Sequence, residues 1–254
     1  MVFADLSFYA PYDADFNLTV GEPAEPNIIG QNPVSVPGFQ IGKEPKNAAN
    51  FDAGSLQYGP VSQYLSGMSE GTTIMPNSFR LLFKPNFSGP SSARNIIFGQ
   101  GLPGNYDSFY VYHSDDIRGP AFHLSANSKP FVTQELSDFH WDSNVWYYMG
   151  VSFDSTGAIF YFRELIPDAK ASIEKLDFGE PQNWGATVTR SKIEVGGRMQ
   201  IEATFGTDFA NGAIQDVKIF QDEKWTPDQF EADYSALLNG ESSDKGSGAS
   251  APKK

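Results

Sequence analysis

The sequence predicts an all-β protein: a jelly-roll sandwich of two antiparallel sheets with a short C-terminal helix. The first observation is composition. Aromatic residues, which favour strands, make up 14% of the 254 residues, beside 24 glycines and 17 prolines, which favour turns. The second is spacing, because short segments with strand character follow one another with turn signals between them. Together these features are typical of a sandwich or a barrel.

The strands are predicted from apolar patterns bounded by turn residues. Residues 78–84 alternate between apolar and polar side chains, whereas residues 145–153 carry large apolar groups on both faces, as a central strand does. Residues 154–157 form a hairpin turn, and the proline-rich residues 21–37 are expected to lack regular structure. The predicted strands are residues 6–10, two within 48–58, then 78–84, 95–98, 109–113, 121–126, 131–136, 145–153, 158–163, 173–178, 192–195 and 213–220.

A helix is predicted after the last strand from its capping residues. Thr226 suits the N-cap, Pro227 suits the first helical position, and Gln229 stands where a capping box needs its amide. Trp225 and Phe230 have the spacing of a hydrophobic staple, so we interpret Trp225 as a packing residue.

Length and charge limit the organisation and the partners. We interpret residues 5–240 as one domain and the polar residues 241–254 as a disordered tail or linker, after which further domains of a longer parent protein would follow. The net charge of −13 argues against nucleic acid. The chain has no cysteine and no apolar run of the roughly 18 residues needed for membrane insertion. Since no signal peptide is visible, we expect a chain that begins after its leader.

Five segments carry a resemblance to a known family. They are AANFDAGSLQY (48–58), GTTIMPNSFRLLFKPNFSG (71–89), NVWYYMGVSFDSTG (144–157), KIEVGG (192–197) and FANGAIQDVKIFQDEKWTPDQFEADY (209–234). In this order they resemble the bacterial laminin-G-like family, part of the concanavalin-A-like lectin/glucanase superfamily. Two departures are Gln215-Asp216, where the family often has Asp-Asp, and Trp225, where a small residue is usual.

The resemblance implies a secreted or surface-displayed protein that binds carbohydrate. Sugar binding needs exposed aromatic faces and planar polar side chains, which favours aromatic and polar residues in loop-like stretches. Trp141 and Trp184 are the expected stacking residues, and the alternative is that they pack over the edge of the sandwich. The candidate glycan-binding residues are Tyr106, His113, Asp115, Arg118, His140, Trp141 and Trp184.

The resemblance also implies a structural calcium ion. Asp13 and Asp15 follow the first strand, and Asp216 lies on the last long strand. Because first and last strands are commonly neighbours in jelly rolls, these three carboxylates are predicted as calcium ligands. The alternative is that they are solvated acidic residues.

No catalytic motif is recognisable. Laminarinase-like relatives place two glutamates and an aspartate along one strand, and no such run occurs here. No Ser/His/Asp set, phosphate-cradling loop or zinc spacing occurs either. The sequence therefore predicts a non-catalytic, lectin-like glycan-binding module. The alternatives are a structural or protein-interaction module, favoured if Trp141 and Trp184 are buried, and a polysaccharide-cleaving enzyme.

Overall fold

A computed structural model describes residues 6–21, 25–41, 46–89, 95–100, 108–114, 117–126, 129–135, 139–185, 192–198 and 208–240. The predicted tail, residues 241–254, lies outside them. In chain order the elements are β1 (Leu6–Ala10), β2 (Asn27–Gly30), β3 (Val34–Pro37), β4 (Asn47–Phe51), β5 (Gly54–Pro60), β6 (Asn77–Pro85), β7 (Asn95–Gln100), β8 (Ser108–Ser114), β9 (Ile117–Ala126), β10 (Lys129–Glu135), β11 (Tyr147–Phe153), β12 (Gly157–Glu164), β13 (Ser172–Asp177), β14 (Lys192–Val195), β15 (Gly197–Arg198), β16 (Asp208–Phe209), β17 (Gly212–Gln221) and α1 (Pro227–Leu238).

Two antiparallel sheets face each other, which confirms the predicted sandwich. Sheet A has the order β13-β12-β11-β6-β17-β4-β3, and β1 also pairs with β17. Sheet B has the order β10-β9-β8-β7-β14-β5-β2, and β15 pairs with β16 separately. The first and last long strands are therefore neighbours, as predicted. Among the described residues no helix is long and apolar enough to cross a membrane.

The main core fills the gap between the sheets through alternate side chains. On β6, Phe79, Leu81 and Phe83 are fully buried. The ring of Phe79 lies 4.7 Å from that of Phe98 and 5.5 Å from that of Phe109, both on sheet B. Burial of each such ring contributes about 1.5–3 kcal/mol to stability. The burial of every second side chain along the strands thus holds the two sheets together.

Helix α1 covers the opposite, outer face of sheet A. The capping box between Thr226 and Gln229 is formed as predicted, and the rings of Trp225 and Phe230 lie 5.3 Å apart in the predicted staple. Phe230 packs in a second apolar cluster with Tyr161 of β12 and Tyr148 of β11. Every residue of β11 is consequently buried, because one face meets the core and the other meets the helix.

Two expectations from the sequence are wrong. Residues 21–37 are not wholly irregular, because β2 and β3 form the edges of sheet B and sheet A. Both strands are short, and proline is tolerated at such edges, where one side of the strand needs no ladder hydrogen bonds. Trp146 does not lie within the central strand, since β11 begins at Tyr147 and leaves Trp146 half-buried beside the cluster under α1.

Replacement of Gly150 by alanine tests the contact between β11 and α1. A Cβ atom there would lie 2.5 Å from the Phe230 ring, which is itself held by neighbouring rings. We expect Gly150→Ala to lower the free energy of unfolding by about 1–3 kcal/mol, measured by urea denaturation. Adding Phe230→Leu should make the alanine less damaging, so the two changes are coupled. Strictly additive effects would contradict this packing.

Candidate functional site

The two tryptophans predicted to stack on sugars are buried. Trp141 and Trp184 expose 2% and 1% of their surface. Trp141 meets the rings of Phe83 and Tyr147 edge-on at 5.5 Å and 5.0 Å, and Trp184 meets Phe153 at 6.4 Å. Stacking needs an open ring face, which neither indole has. The stacking role predicted for them therefore does not fit the structure, and the packing alternative describes both.

The other predicted glycan contacts do not form one cluster. His113 is fully buried on the inner face of β8, with its ring 5.2 Å from Phe87 and 5.6 Å from Trp141. A binding role for His113 is therefore corrected to packing, whereas His140 is exposed. Tyr106, Asp115 and the side chain of Arg118 lie outside the described residues.

The three predicted calcium ligands have other partners. Asp13 forms an ion pair with Lys46 at 2.7 Å, and Asp15 accepts a hydrogen bond from the backbone N–H of Asn17 at 2.9 Å. Asp216 is buried against a guanidinium. Within the described ranges no group of three or more His, Cys, Asp or Glu side chains could hold a metal ion. The predicted calcium set therefore does not fit the positions of these carboxylates.

Asp216 belongs instead to a buried ionic cluster. Arg80 of β6 contacts Asp216 Oδ2 through Nη1 at 2.5 Å and Asp233 Oδ2 of α1 through Nε at 3.1 Å. The Tyr148 hydroxyl donates to Asp233 Oδ2 at 2.8 Å. Asp216 has a φ of 55° where the register between β17 and β6 shifts, and such an irregularity re-aims a side chain. Burial alone would raise the pKa of Asp216, but Arg80 and Lys218 together hold it below its ordinary value.

Sheet B carries a polar row on its outer face. Five residues stand opposite one another across neighbouring strands, and we call them the transverse row: Gln57, Glu194, Gly99, Tyr110 and His123. Their neighbours along each strand, such as Leu56, Ile193 and Phe109, belong to the main core. Because successive side chains of a strand point to opposite faces, the row faces away from the core.

Hydrogen bonding and ring stacking organise the row. Gln57 Nε2 donates to Glu194 Oε1 at 2.8 Å, and the rings of Tyr110 and His123 stack at 4.6 Å with an interplanar angle of 20°. Gly99 lies between these two pairs, and a Cβ atom there would lie 2.4 Å from the backbone oxygen of Phe109. Glycine is therefore needed at position 99, because the backbone of β8 leaves no room for a side chain.

The members of the row differ in how far they reach solvent. Gln57 and His123 are half-buried and reach solvent, while Glu194 and Tyr110 expose 5% and 9% of their surface. A hydrogen bond requires access to one oxygen or nitrogen atom, whereas stacking requires a whole ring face. Carboxamide, carboxylate and imidazole groups are planar, and between them they donate and accept. Sequence reasoning missed the row because its members come from five strands, and only their register brings them together.

No protein-family model and no curated protein matches the sequence. The solved structures that are similar to it include three with TM-scores of 0.57 or 0.58. Domain 4 of AbnA, an extracellular GH43 arabinanase from Geobacillus stearothermophilus in complex with arabinotriose, has a TM-score of 0.57 at 14% identity, covering 91% of this chain and 98% of that one. The enzymatically active domain of bacteriophage CBA120 tailspike protein 2 has a TM-score of 0.58 at 15% identity, covering 84% and 31%.

The third similar structure is the binding domain of botulinum neurotoxin DC in complex with SialylT. Its TM-score is 0.57 at 12% identity, covering 91% of this chain and 51% of that one. This chain thus spans about a third of the tailspike chain and about half of the neurotoxin chain. At these identities the likeness establishes the fold, a two-sheet β-sandwich.

Substitution of Asp216 distinguishes between two roles of this residue, a partner in the buried ionic cluster and a calcium ligand. We expect Asp216→Asn to lower the free energy of unfolding by about 3 kcal/mol at pH 7, with or without calcium, because the Arg80 charge loses a buried partner. Asp13→Asn, in a pair with 30% of each side chain exposed, is the matched control and should cost at most about 1 kcal/mol. Urea denaturation with calcium or with a chelator measures both.

The loss caused by Asp216→Asn should depend on pH. The carboxylate has a lowered pKa in the folded state, so its stabilisation is complete above the ordinary aspartate pKa and disappears as pH falls through the lowered value. Wild-type protein and the variant should therefore converge in strong acid. A stabilisation by calcium that only the wild-type protein shows would contradict the ionic role.

Proposed function

We propose that this chain is a non-catalytic, lectin-like glycan-binding module of a secreted or surface-displayed bacterial protein. The single observation that carries the proposal is the transverse row on the outer face of sheet B. Helix α1 takes up the outer face of sheet A with an apolar cluster. The outer face of sheet B carries an amide, a carboxylate and an imidazole in register, beside a buried apolar cluster of Ile96, Tyr110, Tyr112 and Ala121. Such groups recognise the hydroxyls of sugars.

The similar structures support this proposal at the level of the fold. The arabinanase domain is in complex with arabinotriose, and the neurotoxin binding domain is in complex with SialylT. We extend the proposal to membership of the laminin-G-like family, because the closing strand and its capped helix belong to a segment that resembles that family. The net charge of −13 suits a soluble extracellular protein.

A structural or protein-interaction module is the second candidate, favoured by one observation. Trp141 and Trp184 are buried, so the loops that contain them offer no stacking platform in the described part of the chain. Such a module would bind no glycan, and its outer sheet faces would serve a neighbouring protein. The glycan-binding proposal depends on the row alone and not on these tryptophans.

A polysaccharide-cleaving enzyme has less support. Glycoside hydrolysis commonly uses two carboxyl groups about 5–9 Å apart on either side of the scissile bond. Within the described row, Glu194 is the single carboxylate. Product release from any polysaccharide that the protein binds would nevertheless overturn the non-catalytic part of the proposal.

A pair of histidine variants tests where the glycan binds. A panel of bacterial, plant and animal glycans first identifies a ligand for the wild-type protein. We expect His123→Ala to weaken binding about tenfold, measured by isothermal titration calorimetry, because one hydrogen-bonding group of the row is lost. His140→Ala is the matched control, since His140 is exposed in the loop before β11, and it should bind as the wild-type protein does.

Two results would contradict the proposal. A wild-type protein that binds no glycan in the panel favours the protein-interaction module. Loss of binding in His140→Ala with full binding in His123→Ala places the site in the loop region and not on the row. Circular dichroism and unfolding midpoints of both variants establish that each remains folded.

A further inference from the structure

A second line of side chains crosses the outer face of sheet A at one end. We call it the end row, and its members are Trp146, Lys84, Ala213, Asn50 and Val34. The strand register places Lys84 opposite Ala213, and Ala213 opposite Asn50. Val34 pairs with Asn50 at the edge of the sheet. Because Tyr147 pairs with Phe83, the next position along the two strands places Trp146 beside Lys84.

The end row faces away from the main core. Phe83, Ile214 and Ala49, which are neighbours of row members along their strands, belong to the main core. Since successive side chains of a strand point to opposite faces, the row members point outward. Trp146 packs at the margin of the apolar cluster beneath α1, on this same outer face. The end row therefore lies at the border of the region that α1 covers.

Four of the five side chains of the end row reach solvent. Val34 exposes 62% of its surface, and Trp146, Lys84 and Asn50 are half-buried. Ala213 carries only a methyl group and is buried, with 4% of its surface exposed. A ligand on the end row would therefore contact the longer side chains on both sides of Ala213.

The polar groups of the end row are accessible to a ligand. Among the described residues, no carboxylate pairs with Lys84, and no group bonds to the indole N–H of Trp146 or to the amide of Asn50. The indole nitrogens of Trp141 and Trp184 are enclosed without a partner, whereas the polar atoms of the end row are not. These atoms therefore contact solvent and can exchange water for a ligand.

Lys84 supplies a local positive charge on an acidic protein. The chain has 31 acidic and 18 basic residues, and Lys46, Lys224 and Arg163 each contact a carboxylate within 2.9 Å. Lys84 faces no such partner in the described ranges, and water screens a half-buried charge less than a fully exposed one. An anionic group that binds against Lys84 is consequently stabilised.

The end row offers more hydrogen-bond donors than acceptors. An indole has one N–H, an ammonium group has three, and the amide of asparagine has two beside its single acceptor oxygen. This set complements a carboxylate, which only accepts hydrogen bonds, and charge assistance strengthens the bond from the ammonium group. Two strand spacings separate Lys84 from Asn50, about 10 Å. A carboxylate at Lys84 thus leaves Asn50 for another part of the same ligand.

Building on the proposed function, we infer that the end row is a second glycan-binding site and that it takes a chain of acidic sugars. Lys84 pairs with a sugar carboxylate, to which the indole N–H of Trp146 also donates. Asn50 forms hydrogen bonds with the hydroxyls of a neighbouring sugar. The end row and the transverse row lie on opposite faces of the sandwich, so the two sites can be tested separately.

The test uses a matched pair of ligands and matched variants. The ligands are an oligogalacturonate and the same chain with its carboxylates methyl-esterified, which is neutral. Lys84→Gln removes the charge, and Lys84→Arg keeps it. Lys175→Gln is the control, because Lys175 is exposed on β13 of the same sheet and its substitution gives the same change in net charge. Isothermal titration calorimetry measures the affinities, and unfolding midpoints establish that each variant is folded.

We expect the wild-type protein to bind the oligogalacturonate at least about tenfold more tightly than its ester, because the ester cannot form an ion pair. Lys84→Gln should weaken binding of the acidic chain about tenfold and change that of the ester by less than about twofold. Lys84→Arg and Lys175→Gln should bind both chains as the wild-type protein does. Added salt should weaken binding of the acidic chain more in the wild-type protein than in Lys84→Gln.

The other outcomes separate this inference from the proposed function. If the wild-type protein binds neutral glycans but not the oligogalacturonate, or if Lys175→Gln weakens the acidic chain as much as Lys84→Gln does, the end-row site is overturned while glycan binding stands. If oligoglutamate binds as tightly as the oligogalacturonate, the end row is a site for acidic peptides and the glycan assignment is overturned. If no glycan binds, both proposals fail.

A measurement on the wild-type protein decides the case in which Lys84→Gln does not fold. Backbone amide shifts during titration with the oligogalacturonate should concentrate at Lys84, Ala213 and Asn50. Shifts that concentrate on sheet B instead would overturn the second site.

Discussion

Burial of both faces of sheet A is the constraint on which the rest of the structure depends. The inner face meets sheet B, and the outer face meets α1, so Arg80 on β6 becomes a buried charge. It requires partners, and it receives Asp216 from the irregular stretch of β17 and Asp233 from α1. One guanidinium thus connects two strands and the helix. Removal of Arg80 would leave two buried carboxylates without their shared cation, and removal of Asp233 would break the ionic contact between β6 and α1, which makes the position of α1 specific as well as stable.

The position of α1 determines which surface remains for a ligand. The outer face of sheet A is filled by Tyr148, Phe230 and Tyr234, whereas the outer face of sheet B carries the transverse row. Gln57 and His123 reach solvent at its two ends. The outer faces of the two sheets therefore differ: sheet A packs against the helix, and sheet B carries the polar row beside a buried apolar cluster of Ile96, Tyr110, Tyr112 and Ala121. The division follows from packing and does not require a metal ion.

Local chemistry made the strands and the helix predictable, whereas the site depends on long-range pairing. The capping box of Thr226 and Gln229 and the turn at Asp154 involve neighbours in sequence, and both form as expected. On β8 the sequence alone could not tell the two faces apart, because both carry aromatic or polar residues. The sequence predicts a binding role for His113, but its ring lies inward against Phe87 and Trp141, whereas Tyr110 faces outward. Glu194 meets Gln57 across 137 residues of sequence, which no local pattern encodes.

Chemical-shift mapping of backbone amides during titration with a neutral oligosaccharide tests the central claim most directly, namely that the outer face of sheet B binds the ligand. The expected result is that shifts concentrate at Gln57, Gly99 and Glu194 and on β8 and β9, while the amides of α1 stay unchanged. Shifts that centre instead on α1, or on the loops that contain His140 and Trp184, would contradict it.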